Sequence, residues 1–176
     1  MISPFISRLM LLRQFSLLEN EIKILGKNFY LQPIQQLVIF QKNIEKKFGK
    51  KGLDLIYESG RESFFQMSKD MEKFSESRDR FHEAMINIIK HFGFGNLEIL
   101  EIKQEELKAK IIVKDNPFAK EYVKLFGYQK NCLDYMLSGI IAGYFSNFFR
   151  KNVKCREDTC IGKKDLMCEF IVSKLK

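Results

Sequence analysis

Three observations on this 176-residue chain predict an α+β fold, an antiparallel sheet of about four or five strands with helices packed on it. Two neighbouring segments, LEILEIK from Leu97 and LKAKIIVK from Leu107, alternate apolar and polar residues with the period of half-buried strands. Several longer stretches place apolar residues at helical spacing instead. A second alternating pair, Val153–Cys160 and Leu166–Val172, closes the chain as a hairpin.

In chain order, Ser3 and Pro4 read as an N-cap and first helical residue, opening a helix to about Asn20. EIKILGKNFYL alternates around Gly26 and reads as a strand or short hairpin. Pro33 starts the next helix, IQQLVIFQKNIEKKF, which stops at Gly49, a position suited to a left-handed cap. Leu53 to Phe74 reads as a long helix carrying Leu53, Ile56, Tyr57, Phe64, Met67, Met71 and Phe74 near one face. Ser77 caps a further helix, with Phe81, Met85, Ile88, Ile89 and Phe92 before the stop at Gly93. The two central strands turn at about Gln104–Glu106, and Asn116-Pro117 opens a short helix. The helix from Cys132 to Phe149 holds Gly139 and Gly143, a small-xxx-small pair that lets another backbone come close. The last hairpin turns over Ile161–Asp165, which includes Gly162.

The composition fits a single domain over residues 1–176, mainly helical to residue 90. At 45% hydrophobic with 17 Phe, the chain has the material for a sizeable core. No run reaches the ~20 apolar residues of a membrane span. The apolar opening MISPFISRLMLLRQF is interrupted by arginines and lacks a small-residue cleavage site, so a cytoplasmic location is expected. The net charge of +8 raises nucleic acid as a partner. Its lysines are spread along every segment, however, and the one dense run, KKFGKK at Lys46–Lys51, falls between helices, so a solvated loop is the better reading. The chain shows no Gly-x-Ser-x-Gly elbow and no P-loop, and FGFGN lacks the third glycine of a dinucleotide fingerprint and precedes a strand. Its two histidines, His82 and His91, read as surface or capping residues. No catalytic constellation stands out, which favours binding over catalysis.

The chemistry-bearing residues gather near the C-terminus. All four cysteines, Cys132, Cys155, Cys160 and Cys168, lie beyond residue 131, with Glu157 among them. Zinc takes four ligands in a tetrahedron from thiolates, imidazoles and sometimes a carboxylate. The alternatives are disulfides, which need an oxidising compartment, or separate buried thiols. Without a CxxC signature, spacing alone supports a metal site and unrelated thiols about equally. Side-chain alternation puts Cys155 and Glu157 on one strand face, so parity does not separate them as ligands.

The stretch His91–Val172 resembles the 4-vinyl reductase domain family. The resemblance runs through HFGFGNLEI, DNPFAKEY, NCLDYMLSGIIAGYFSNFF and REDTCIGKKDLMCEFIV, and more loosely through KKFGKKGLDLIYESGRE before it. It implies a module spanning residues 91–174, an architecture shared with the TRAPP vesicle-tethering subunits, and a C-terminal zinc-binding hairpin. In the phenol-sensing activators that share the module, the matching positions hold zinc, which carries ligation to Cys132, Glu157, Cys160 and Cys168 and leaves Cys155 spare. Three thiolates and a carboxylate close the tetrahedron, as in structural sites, and leave no position for activating water. Their summed charge calls for cations nearby, for which Lys154, Arg156, Lys163 and Lys164 are available. The phenol sensors hold the phenolic hydroxyl with a His and a Trp. This chain has no Trp, so a more apolar ligand is expected.

The leading expectation is therefore a small-molecule binding or sensor domain with structural zinc. Its candidate cavity lining is Tyr57, Phe64, Phe81, Met85, Phe94, Val113, Tyr122 and Tyr135, each equally placed to be core. The alternatives are a scaffold or assembly subunit acting through dimerisation, and a reductase-associated enzyme for a tetrapyrrole-like substrate. The apolar helices and the resemblance together imply a homodimer.

Overall fold

A computed structural model of the chain describes residues 15–18, 21–24, 27–73, 77–91 and 93–175. The chain divides into two compact units, residues 1–33 and 34–176.

In the first unit, β1 (Phe15–Leu18), β2 (Glu21–Ile24) and β3 (Lys27–Phe29) form an antiparallel meander, with Phe15 opposite Ile24 and Ile22 opposite Phe29. The expected hairpin around Gly26 is present as β2–β3. The helix expected to run to Asn20 is corrected over Phe15–Leu18, which is strand. A short apolar run fits helix and strand alike, and here pairing with β2 decides. The proposed helix start at Ser3 and Pro4 lies outside the described residues.

The second unit begins with α1 (Ile34–Phe48) and α2 (Lys50–Glu72), joined at Gly49. Gly49 has the expected positive φ of 58°, but its ψ of −142° is not that of a left-handed cap. It turns the chain directly into α2, a conformation that favours glycine. Phe74 and Phe92, placed on the next two helices, lie outside the described residues. α3 (Arg78–His91) starts after Ser77 and buries Phe81, Met85, Ile88 and Ile89, the expected face.

β4 (Asn96–Lys103), β5 (Lys108–Lys114), β6 (Val153–Thr159) and β7 (Cys168–Lys174) form an antiparallel sheet in the order β4-β5-β7-β6. Its register sets Val113 opposite Cys168, Ile111 opposite Phe170, and Phe170 opposite Glu157. One face is thus apolar, with Leu97, Ala109, Ile111, Val113, Phe170 and Val172 buried. The other carries charge pairs such as Lys110–Glu169 at 2.8 Å.

Between β5 and β6 come α4 (Pro117–Phe126) and α5 (Tyr135–Phe149). Asn116 caps α4, its side chain accepting a hydrogen bond from the Ala119 amide at 3.1 Å. α5 begins three residues after Cys132, because Asp134 caps it by accepting from the Leu137 amide at 3.0 Å. Every residue from Leu137 to Asn147 is buried. Such a helix belongs in the middle of a domain, and α5 packs on α2 along one side and on β6 and β7 along the other. Gly139 and Gly143 make the first contact possible, since a Cβ on either would run into the backbone carbonyl of Tyr57 or Arg61.

Candidate metal centre and apolar pocket

Three C-terminal side chains meet. Glu157, Cys160 and Cys168 each bring one ligand atom within 4.8 Å of the others. The Cys160 and Cys168 sulfurs are 4.0 Å apart, close to the ~3.8 Å edge of a tetrahedron with 2.3 Å zinc–sulfur bonds. The geometry comes from the hairpin. A register shift between Glu157 and Thr159 bends β6 as it leaves the sheet. The turn then folds tightly, with the Lys163 and Asp165 amides both donating to the Cys160 carbonyl. The Asp165 carboxylate accepts from the Cys160 amide at 2.8 Å, and the Ile161 amide points at the Cys168 sulfur at 3.5 Å.

Glu157 supplies the most informative detail. Its Oε2 accepts hydrogen bonds from the amides of Leu133, at 2.7 Å, and Asp134, at 2.9 Å. Its Oε1 is buried with no hydrogen-bond partner among the described residues. An orphaned buried carboxylate oxygen is costly, and beside two buried thiols its natural partner is a cation. The residues present therefore fit a metal ion.

Cys132 lies next to this group. Its sulfur is 3.7 Å from the Asp158 carbonyl oxygen, and the thiol is pushed up by its hydrogen bond with Cys160, by burial and by the Glu157 charge. For Cys160 the bond with Cys132 pulls downward, but the bond with Cys168, burial and Glu157 outweigh it. Without a cation these thiols hold their protons; a metal must displace them. Cys155 sits two register pairs from Glu157, opposite Val172, buried, with its amide donating to the Tyr57 hydroxyl at 3.1 Å. Neither Cys155 nor Cys132 is among the three gathered residues, and of the two it is Cys132 whose thiol hydrogen-bonds to Cys160. All four cysteines are free thiols. Of the four expected cations, Lys163 approaches the group, donating to the Asp158 carbonyl at 3.2 Å. Arg156 pairs with Asp158, Lys164 lies over the Tyr128 ring, and Lys154 is exposed.

Residues 133 and 134 connect the metal group to an apolar pocket of about 50 Å³. Leu37, Phe40, Ile56, Phe94, Phe118 and Met136 contribute most of its wall, and Gln41, Asn116 and Asp134 its polar members. Phe40 is 54% exposed, so the pocket reaches the surface there. Asp134 is fully enclosed, its carboxyl pushed up to about 7 by burial and then by the Glu157 charge. A more open polar cleft of about 420 Å³ lies on the other side of Gln41, between Glu45, Gln129 and Cys132.

The proposed cavity residues fall in three places. Phe94 lines the pocket, and Tyr122 and Tyr135 line the cleft. Phe64, Phe81, Met85 and Val113 are buried in the core, and Tyr57 holds the Cys155 amide. Sequence reasoning missed α1 as a wall, and with it Gln41 and Phe40; Asn116 had been read only as a helix start. His82 is also corrected, being half-buried with its ring nitrogen on the Tyr144 hydroxyl inside an aromatic cluster. His91 is exposed, its ring on the Asn87 carbonyl at 2.7 Å.

No family model matches the chain. The fold is nonetheless that of a known class of α+β domain. It aligns with a vinyl-4-reductase family protein from Methanocaldococcus jannaschii at a TM-score of 0.50 and 18% identity, covering 84% of this chain and 98% of that one. Trafficking protein particle complex subunit 3 from Naegleria fowleri, covalently bound to palmitic acid, aligns at 0.56 and 15% identity over 81% and 95%. The phenol-responsive sensory domain of the transcription activator PoxR, with phenol, aligns at 0.80 and 18% identity over 99% of this chain and 92% of that one. The resemblance read from the sequence thus holds for the fold. In sequence, the uncharacterized protein MJ0150 of Methanocaldococcus jannaschii is 30% identical over 95 residues, 54% of this chain. The chain spans about half the length of that curated relative, 51%.

Proposed function

We propose that the chain is a small-molecule-binding sensor module whose C-terminal hairpin is clasped by zinc held by Cys132, Glu157, Cys160 and Cys168. One observation carries the reading: Asp134 lines the apolar pocket, and its amide, together with that of the adjacent Leu133, holds Glu157 of the metal group. The PoxR sensory domain, with phenol bound, offers the same fold as precedent. With three thiolates and a carboxylate the ion has no open position, so its contribution is structural, tying the segment before α5 to the hairpin. The free thiols suit a reducing compartment such as the cytoplasm, and among the described residues no helix is long and apolar enough to cross a membrane. The ligand is a small, mainly apolar molecule, and the module is non-catalytic.

Native mass spectrometry of protein purified without chelator tests this directly. It is expected to show one zinc per chain; a folded, metal-free protein sinks the clasp.

A second observation favours dimerisation as part of the same function. Ile39, Phe40, Phe48 and Leu55 leave apolar surface exposed on α1 and α2, of the kind obligate dimers cover. Sedimentation at micromolar concentration is expected to give about twice the 20.8 kDa chain mass, and Leu55→Asp to shift it toward monomer. A monomeric wild type contradicts the dimer.

A further inference from the structure

The polar members of the pocket differ in what they have left to offer. Asn116 has both ends engaged: its amide nitrogen donates to Asp134 Oδ2 at 2.9 Å and its oxygen accepts from the Ala119 amide. Asp134 accepts that bond on Oδ2 and the Leu137 amide on Oδ1. Gln41, 4% exposed, donates from Nε2 to the Leu133 carbonyl at 2.7 Å, which fixes the orientation of its amide because a carbonyl accepts only a donor. Its Oε1 is buried and has no partner among the described residues. The remaining wall, from Leu37 to Met136, consists of apolar side chains, of which only the Met136 thioether is even a weak acceptor. Of the pocket's polar side-chain atoms, Gln41 Oε1 is therefore the one that lacks any partner among the described residues, and it is an acceptor.

Resting on the sensor reading above, we propose that this pocket takes a small apolar molecule carrying a single O–H or N–H donor, and that Gln41 Oε1 is the acceptor that selects it. A ligand without a donor leaves the glutamine oxygen unpaired in a dry site, and one with several polar groups buries the excess against Phe94, Phe118 and Met136. Sites that satisfy a single buried polar group discriminate strongly against isosteres that lack the matching partner. Gln41 also holds the Leu133 carbonyl, whose own residue donates its amide to Glu157. The selecting residue thus stands on the segment that positions the metal carboxylate.

Phenol and toluene, matched in shape and differing by one donor, test the proposal on the full zinc-loaded chain. Titrations are followed by the Met136 methyl resonance and the Phe94 and Phe118 amide resonances. The expected result is that phenol binds about tenfold or more tightly than toluene. In Gln41→Met toluene binding is expected to persist while the preference for phenol disappears, and toluene binding doubles as the check that the variant keeps its pocket. Equal affinity of the wild type for both probes overturns the donor requirement and leaves the pocket standing. A phenol preference that survives in Gln41→Met overturns Gln41 as the acceptor. If neither probe moves the three reporters, the pocket is no binding site, and the sensor reading falls together with this proposal.

Discussion

Cys160→Ser is expected to leave the chain without stoichiometric zinc and to lower its melting temperature by about 10 °C or more. The reasoning starts from linkage: an ion that binds only the folded state stabilises it by several kcal/mol at ordinary excess. In a chain of this size each kcal/mol moves the midpoint by roughly 2–4 °C. Serine keeps the side-chain volume close but removes one thiolate from the gathered group of Glu157, Cys160 and Cys168. It also leaves Glu157 Oε1 buried without a cation to face. Cys155→Ala is the matched control, since Cys155 is buried on the same sheet face and its loss costs only a small cavity, about 1 kcal/mol. Metal analysis and calorimetry on both variants separate the roles. Equal losses of zinc and stability would mean that Cys155 belongs among the ligands.

Gly143→Ala is expected to destabilise the protein by about 3 kcal/mol, the upper end of ordinary overpacking costs. Intrinsic helix propensity predicts the opposite sign, a gain of about 1 kcal/mol for replacing a mid-helix glycine by alanine. The clash decides, because the added Cβ overlaps the Arg61 carbonyl oxygen and comes within 2.9 Å of the Phe65 amide nitrogen. Both obstacles are backbone on α2, so no rotamer change relieves them. The contact is built from both sides, since a Cβ at Gly60 on α2 would lie 2.6 Å from the Met136 carbonyl of α5. The double variant Gly139→Ala/Gly143→Ala is expected not to fold at 37 °C. As a control on the outer face of α2, Ser59→Ala stays within about 0.5 kcal/mol. Urea unfolding that shows Gly143→Ala as stable as the wild type would refute the close crossing.

Much of the second unit was legible because its segments announce themselves locally. The alternation in LEILEIK and LKAKIIVK, the Asn116-Pro117 start and the Gly139/Gly143 pair each correspond to an observed strand, cap or helix contact. Phe15–Leu18 was misread because an apolar run has no period of its own, and only its pairing with β2 makes it a strand. In the metal group, cysteine and glutamate identities marked the hairpin, and strand parity put Glu157 on the inner face beside Cys155.

What the sequence by itself determined is therefore the set of elements and the chemical types at the C-terminus, since both depend on neighbours a few residues away. Tertiary structure alone decided which of these residues meet. Parity allowed Cys155 and Glu157 alike, and the choice came from the bend in β6 after Glu157 and from the Leu133 and Asp134 amides that reach it from another segment. The pocket was equally hidden. Phe64, Phe81, Met85 and Val113 have the composition of a cavity wall and are buried in the core, while Gln41, a polar residue on an ordinary amphipathic helix, is buried 92 positions away from the carbonyl it holds. A buried polar atom without a partner is a property of the assembled surroundings, and no local pattern of residues encodes it.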